Sequence, residues 1–153
     1  MKTGLDSDIR KALAAELSKI LASNYLLLIK TQNFHWNVTG SHFRDLHLMF
    51  EEQYNDLFGA NDEIAERIRA LGFAAPGTIK EFASLSFLKD AQEIPKAEEM
   101  VAELLKDHET MIQSIRKLIK KAGDAQDEAT NDLLSPRIDA HEKTAWMLRS
   151  FLG

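Results

Sequence analysis

The chain has 153 residues, of which 44% are hydrophobic and 28% charged, with 19 basic against 24 acidic side chains and a formal net charge of -5. That length fits one domain with its own core, and a chain of this size buries roughly 68–70% of its unfolded surface without covalent staples. The absence of cysteine excludes a disulfide framework, a thiolate metal site and a thiol nucleophile, and the acidic balance argues against a surface that coats nucleic acid. The first eight residues carry two acids and no apolar core of a leader sequence, and Tyr25 to Ile29 is far shorter than the roughly 20 residues of a membrane span. A cytoplasmic protein with no membrane partner is the expectation.

In chain order, Asp6-Ser7-Asp8 offers N-cap chemistry. Apolar residues then recur at Ile9, Leu13, Leu17, Ile20, Leu21, Leu27 and Leu28, the stripe of an amphipathic helix that should run to about Trp36. Val38-Thr39-Gly40-Ser41 breaks it, and Ser41 is the expected cap of a second helix carrying Phe43, Leu46, Phe50, Tyr54, Leu57, Phe58, Ile64, Ile68 and Leu71. Gly72 should stop that helix by adopting positive φ, and Pro76-Gly77 marks a turn. A short amphipathic helix is expected between Thr78 and Leu88, inside a long connection. Pro95 should open a third long helix, with Met100, Val101, Leu104, Leu105, Met111, Ile112, Ile115, Leu118 and Ile119 on one stripe and Gly123 at its end. A fourth holds Leu133, Leu134, Ile138, Trp146, Met147 and Phe151, with Pro136 as either its first residue or a kink. No strand-like alternation of any length appears. The fold class is therefore all-α, a four-helix bundle with a short extra helix in the long crossover between the second and third long helices.

Candidate chemistry sits on the second helix. His47 and Glu51 are four residues apart, as are Asp62 and Glu66, so each pair shares a helix face. The 11 residues from Glu51 to Asp62 return the face to about 20° of its start but rise roughly 16 Å, too far for one metal ion to touch both pairs. His35, at the end of the first helix, can fold back beside His47. Taken alone, each acid reads first as a solvated helix carboxylate, as most such residues are. Together, nitrogen and oxygen donors without sulfur suit iron, manganese or zinc. A two-fold axis crossing the helix would bring His47 and Glu51 of one copy to Asp62 and Glu66 of another, forming each site twice. No Glu in the chain has a His three residues later, which disfavours a di-iron centre inside one bundle.

Thr31 to Gly40 (TQNFHWNVTG), then Phe43, Leu46-His47, Phe50-Glu51 and Asp62-Glu63-Ile64-Ala65-Glu66-Arg67, together with the short crossover helix, the Gly123–Asp132 segment and His141 to Arg149, closely resemble the Dps-type mini-ferritins (DNA-binding protein from starved cells). The resemblance covers nearly the whole chain. It implies a single ferritin-like domain over residues 1–153 with an N-terminal tail of about five to seven residues. It also implies a ferroxidase centre at a dimer two-fold, with His35, His47 and Glu51 from one subunit and Asp62 and Glu66 from its partner; many members carry Asp where Glu51 stands. The family assembles as a hollow homododecamer, oxidises ferrous iron preferentially with hydrogen peroxide, and stores ferric mineral. By the same resemblance Asp127 and Asp132 are candidate pore residues, with helix capping as their competing role. Trp36 is a candidate electron donor, or else an aromatic packed at the subunit contact. His42, His108 and His141 have no partner at ligand spacing and read as surface or packing residues, and the methionines Met49, Met100, Met111 and Met147 as core filler.

DNA binding is the competing function. In some family members a lysine-rich N-terminal tail contacts phosphates, but here the first 12 residues hold Lys2, Arg10 and Lys11 against Asp6 and Asp8, and weak or absent DNA binding is expected even with the avidity of twelve copies. A helical oligomer that holds zinc without turnover is the third class considered.

Overall fold

A computed structural model describes residues 2–153. Its elements are α1 (Ser7–Asn37), α2 (Phe43–Ala70), α3 (Ile79–Leu85), α4 (Ala97–Asp124) and α5 (Glu128–Leu152), with no strand among the described residues. The four long helices form the bundle, α1 pairing with α2 and α4 with α5, and α3 lies in the crossover against α1.

The first helix starts where the sequence places it. Asp6 accepts the N–H of Asp8 at 2.8 Å, satisfying a donor that the first turn leaves open. Its stripe of Leu13, Leu17, Ile20, Leu21, Leu27 and Phe34 is buried. By length and hydropathy alone α1 is apolar enough to reach across a bilayer, although polar residues interrupt its apolar ones beyond Tyr25–Ile29. Its buried residues are instead covered by α2 and α4, and its one buried cation, Lys30, is held by Asp107 at 2.8 Å and Glu103 at 2.7 Å on α4.

Three expected boundaries shift. The cap of α2 is His42, not Ser41, and no side-chain hydrogen bond serves it. The Phe43 N–H instead bonds the Gly40 carbonyl at 3.1 Å, and Gly40 takes φ 109°, so a backbone turn replaces the expected hydroxyl cap. Pro95 lies before the start of α4: Lys96 is the cap, and the Glu99 carboxylate accepts its N–H at 3.0 Å. Gly123 remains helical, and the left-handed turn residue is Gln126 at φ 56°. The chain turns there because the Asp127 N–H bonds the Ala122 carbonyl at 2.9 Å and Asp127 caps the next helix. Gly72, at φ 97°, ends α2 as expected. Pro136 lies inside α5 as its ninth residue, so it is not a first-turn residue.

The short helix is anchored to the bundle. Thr78 and Glu81 form a reciprocal capping box. Phe82 stacks on Tyr25 of α1 with centroids 4.2 Å apart, and the Phe87 N–H donates to the Ser23 hydroxyl at 3.0 Å. The crossover thus lies along α1 and leaves most of α2 uncovered on the side that carries His47 and Phe58.

Candidate metal centre

The end of α1 and the second turn of α2 meet through two histidines. The rings of His35 and His47 stack with centroids 3.8 Å apart and planes 16° from parallel. Each ring bonds the other residue's backbone: Nδ1 of His35 lies 2.7 Å from the His47 carbonyl oxygen, and Nδ1 of His47 lies 2.8 Å from the His35 carbonyl oxygen. A carbonyl only accepts, so both Nδ1 atoms carry a proton, which in the neutral form of each ring leaves Nε2 bare. That is how a metal-ligating histidine is oriented by its outer partner. The reciprocity also explains why Val38–His42 must be a tight turn: the two carbonyls reach the opposite rings only if α1 and α2 are brought side by side.

Aromatic side chains hold the pair. Tyr54 meets His35 edge-on at 5.3 Å, and Phe43 leans on His47 at 5.1 Å. His35 is buried, and His47 and Glu51 are half-buried. Glu51 lies one turn beyond His47, and Tyr54 three residues further on. Burial, then the charge and hydrogen bond of Glu51, push the Tyr54 phenol above its ordinary range, so it stays a protonated donor toward that carboxylate. Tyr54 read as a core aromatic in the sequence; its role beside Glu51 was signalled only by their i,i+3 spacing.

Asp62 and Glu66 do not join this group. They lie on the same α2 face, roughly 16 Å along the axis, are exposed, and make no hydrogen bond or ion pair among the described residues. No three His, Asp or Glu side chains among the described residues are close enough together to hold a metal. The single chain therefore presents two separate groups of donors. Between them on that face stands Phe58, 68% exposed, and beside His35 stands Trp36, also 68% exposed.

The candidate pore acids differ from each other. Asp127 is only 4% exposed. It caps α5 through the Thr130 N–H and hydroxyl, and it pairs with Arg67 of α2 at 2.6 Å. Burial works to raise its pKa, but the Thr130 hydroxyl and the Arg67 guanidinium outweigh it, and the carboxyl sits below its usual range. Of its two candidate roles the protomer gives it capping. Asp132 is exposed, and Asp124 pairs with Lys120 at 3.0 Å. His42 packs edge-on against Phe151. His108 and His141 are buried and hydrogen-bonded to each other, a partnership that their separation of 33 residues hid from the sequence.

Comparison with known proteins agrees with this architecture. The model of the ferritin-like domain matches residues 14–153. A low-temperature-induced protein of Nostoc sp. is 43% identical over 151 residues, covering 97% of this chain and 84% of that one. The DNA protection during starvation protein 2 of Bacillus anthracis is 40% identical over 145 residues, covering 95% of this chain and 99% of its own. A Dps protein from Vibrio cholerae, described as a member of a superfamily of ferritin-like diiron-carboxylate proteins, superposes with a TM-score of 0.96 at 30% identity, over 100% of this chain and 96% of its own. With the family model spanning nearly the whole bundle and Dps proteins matching it end to end in sequence and in structure, the chain belongs to the ferritin-like family, as a Dps-type mini-ferritin.

Proposed function

We propose that this protein binds ferrous iron at sites shared between two copies, oxidises it, preferably with hydrogen peroxide, and stores the ferric product inside a twelve-subunit cage in the cytoplasm, thereby protecting the cell from radical-forming iron chemistry. The observation that carries the reading is the reciprocal His35–His47 pair, which holds two bare Nε2 atoms beside Glu51 while the carboxylates of Asp62 and Glu66 stand unpaired further along the same face.

Two copies of α2 crossing antiparallel about a two-fold axis would complete both half-sets at once. His35, His47 and Glu51 then supply two nitrogens and a carboxylate, and Asp62 and Glu66 of the second copy supply two more carboxylates. Three carboxylates offset the charge gained as Fe(II) becomes Fe(III), which favours oxidation. The balanced reaction takes two Fe(II), one hydrogen peroxide and two protons to two Fe(III) and two waters. The exposed Phe58 and Trp36 fit the contact that excludes water from this site. Trp36 is in addition a candidate one-electron donor beside His35. Asp132, exposed and unpaired, is a better candidate for an iron-entry pore than Asp127, which stands behind Arg67.

DNA protection is the competing reading, favoured by the name of the Bacillus anthracis relative. Arg10 does not support strong binding, because it lies in α1 and its guanidinium donates to the Leu5 and Leu71 carbonyls. A gel shift showing tight, salt-resistant retention of DNA by the purified assembly would overturn that.

The test is an anaerobic Fe(II) titration followed by peroxide. The wild-type protein should oxidise bound iron rapidly and stoichiometrically, and His35→Ala or His47→Ala should slow it at least tenfold with the assembly intact. Unchanged kinetics in both variants would contradict the assignment, and tight metal binding with no oxidation would favour a purely metal-holding oligomer.

A further inference from the structure

The iron chemistry leaves two titratable groups unused in the middle of the bundle. His108 on α4 and His141 on α5 are each 2% exposed, with their Nδ1 atoms 2.9 Å apart. Such a contact requires one Nδ1–H to donate and the other, bare Nδ1 to accept, so the accepting ring is neutral, and with both rings neutral the two are in opposite tautomers. The Nε2 of His108 is buried without a protein partner.

Charges approach the pair from each side. Arg137, one turn before His141 on α5, acts on both rings, and Asp56 of α2 acts on His108. Asp56 is already engaged: its two oxygens hold the Arg137 guanidinium at 3.1 and 2.6 Å. From α1, Lys30 reaches Asp107, the residue before His108, at 2.8 Å and is neutralised there. A proton added to either ring would therefore place a second buried cation beside Arg137 with no free counter-charge. Burial, then Arg137, push His108 down to about 3, and burial, then His108 and Arg137, hold His141 well below its usual value. A metal ion does not fit the pair either, because Arg137 opposes any cation and no third His, Asp or Glu among the described residues converges on it.

We propose that the His108–His141 contact is an acid-released latch between α4 and α5, closed while both rings are neutral and opened when acid makes the separated, hydrated rings the proton-binding state. The sign follows from linkage. An opened histidine titrates near 6.5, whereas the closed pair stays neutral well below that. The closed form is thus fully favoured above about pH 6.5 and loses ground as pH falls. Two such groups lower the closed-to-open ratio by up to about a hundredfold per pH unit, and one by about tenfold.

The test compares wild-type assembled protein, free of added iron, with His141→Gln and with the double variant His108→Leu/His141→Leu. Hydrogen exchange of α4 and α5 amides is followed from pH 7.5 to 4.5 and corrected for the intrinsic rate. Relative to the double variant, the wild-type opening equilibrium should grow by up to about a hundredfold per pH unit below 6.5, and His141→Gln should show about tenfold. His141→Gln keeps a polar side chain toward His108, so it tests the latch even if the double variant does not fold. The same pH dependence in wild type and His141→Gln overturns the proposal. So does histidine NMR of the folded protein in which these two rings titrate between pH 7 and 5.

Discussion

Asp127 shows how one side chain settles a local question. Its carboxylate caps α5, binds the Thr130 hydroxyl at 2.6 Å and accepts from Arg67 at 2.6 Å. Removing it strips a helix cap and leaves a partly buried guanidinium without its partner. Asp127→Ala should therefore cost about 1–3 kcal/mol at pH 7, read from chemical denaturation. Because its folded pKa is depressed, the contribution is present above the ordinary carboxylate range and disappears as pH falls through the lowered value, so wild type and variant should converge in strong acid. At this scale the sequence was informative only where partners are close along the chain. The spacing of His47, Glu51, Asp62 and Glu66 on one helix, and the capping chemistry of Asp6 and Asp127, could be read directly. The two His–carbonyl bonds, the Arg67–Asp127 pair and the His108–His141 contact could not, because each joins residues brought together by the fold.

At the scale of elements, helices appear where the 3.6-residue stripe is strong, and their ends shift where a backbone turn replaces a side-chain cap. Ser41, Pro95 and Gly123 each carry a terminus signal, yet the chain turns at Gly40, Lys96 and Gln126, because hydrogen bonds to carbonyls of the preceding turn or to Glu99 satisfy the same groups. Lys30 is the clearest case of a residue that pattern misplaces. It falls at the end of the apolar run Leu26 to Ile29, yet it is buried and ties α1 to α4 through Glu103 and Asp107, more than 70 residues away. Lys30→Met should leave Asp107 as an uncompensated buried charge and cost about 3–5 kcal/mol. Lys30→Met/Asp107→Leu should recover most of that loss, since an apolar pair needs no counter-charge. Additive losses in thermal melts of the two single variants and the double variant would contradict the pairing.

For the whole molecule, the proposed shared site rests on two separate groups of donors on one chain with a large exposed aromatic, Phe58, between them. Phe58→Glu should therefore keep the helix content of wild type by circular dichroism while blocking assembly in sizing experiments and abolishing rapid iron oxidation. A variant that oxidises iron normally as a folded monomer would show that assembly is not needed. The most direct measurement is complementation between two inactive variants, His35→Ala and Asp62→Asn/Glu66→Gln, dissociated, mixed in equal amounts and reassembled. If each site takes its histidines from one copy and its distal carboxylates from another, a mixed pair regains one intact site of its two, and random pairing restores about a quarter of wild-type oxidation. If all the ligands of a site belonged to one chain, mixing would restore none.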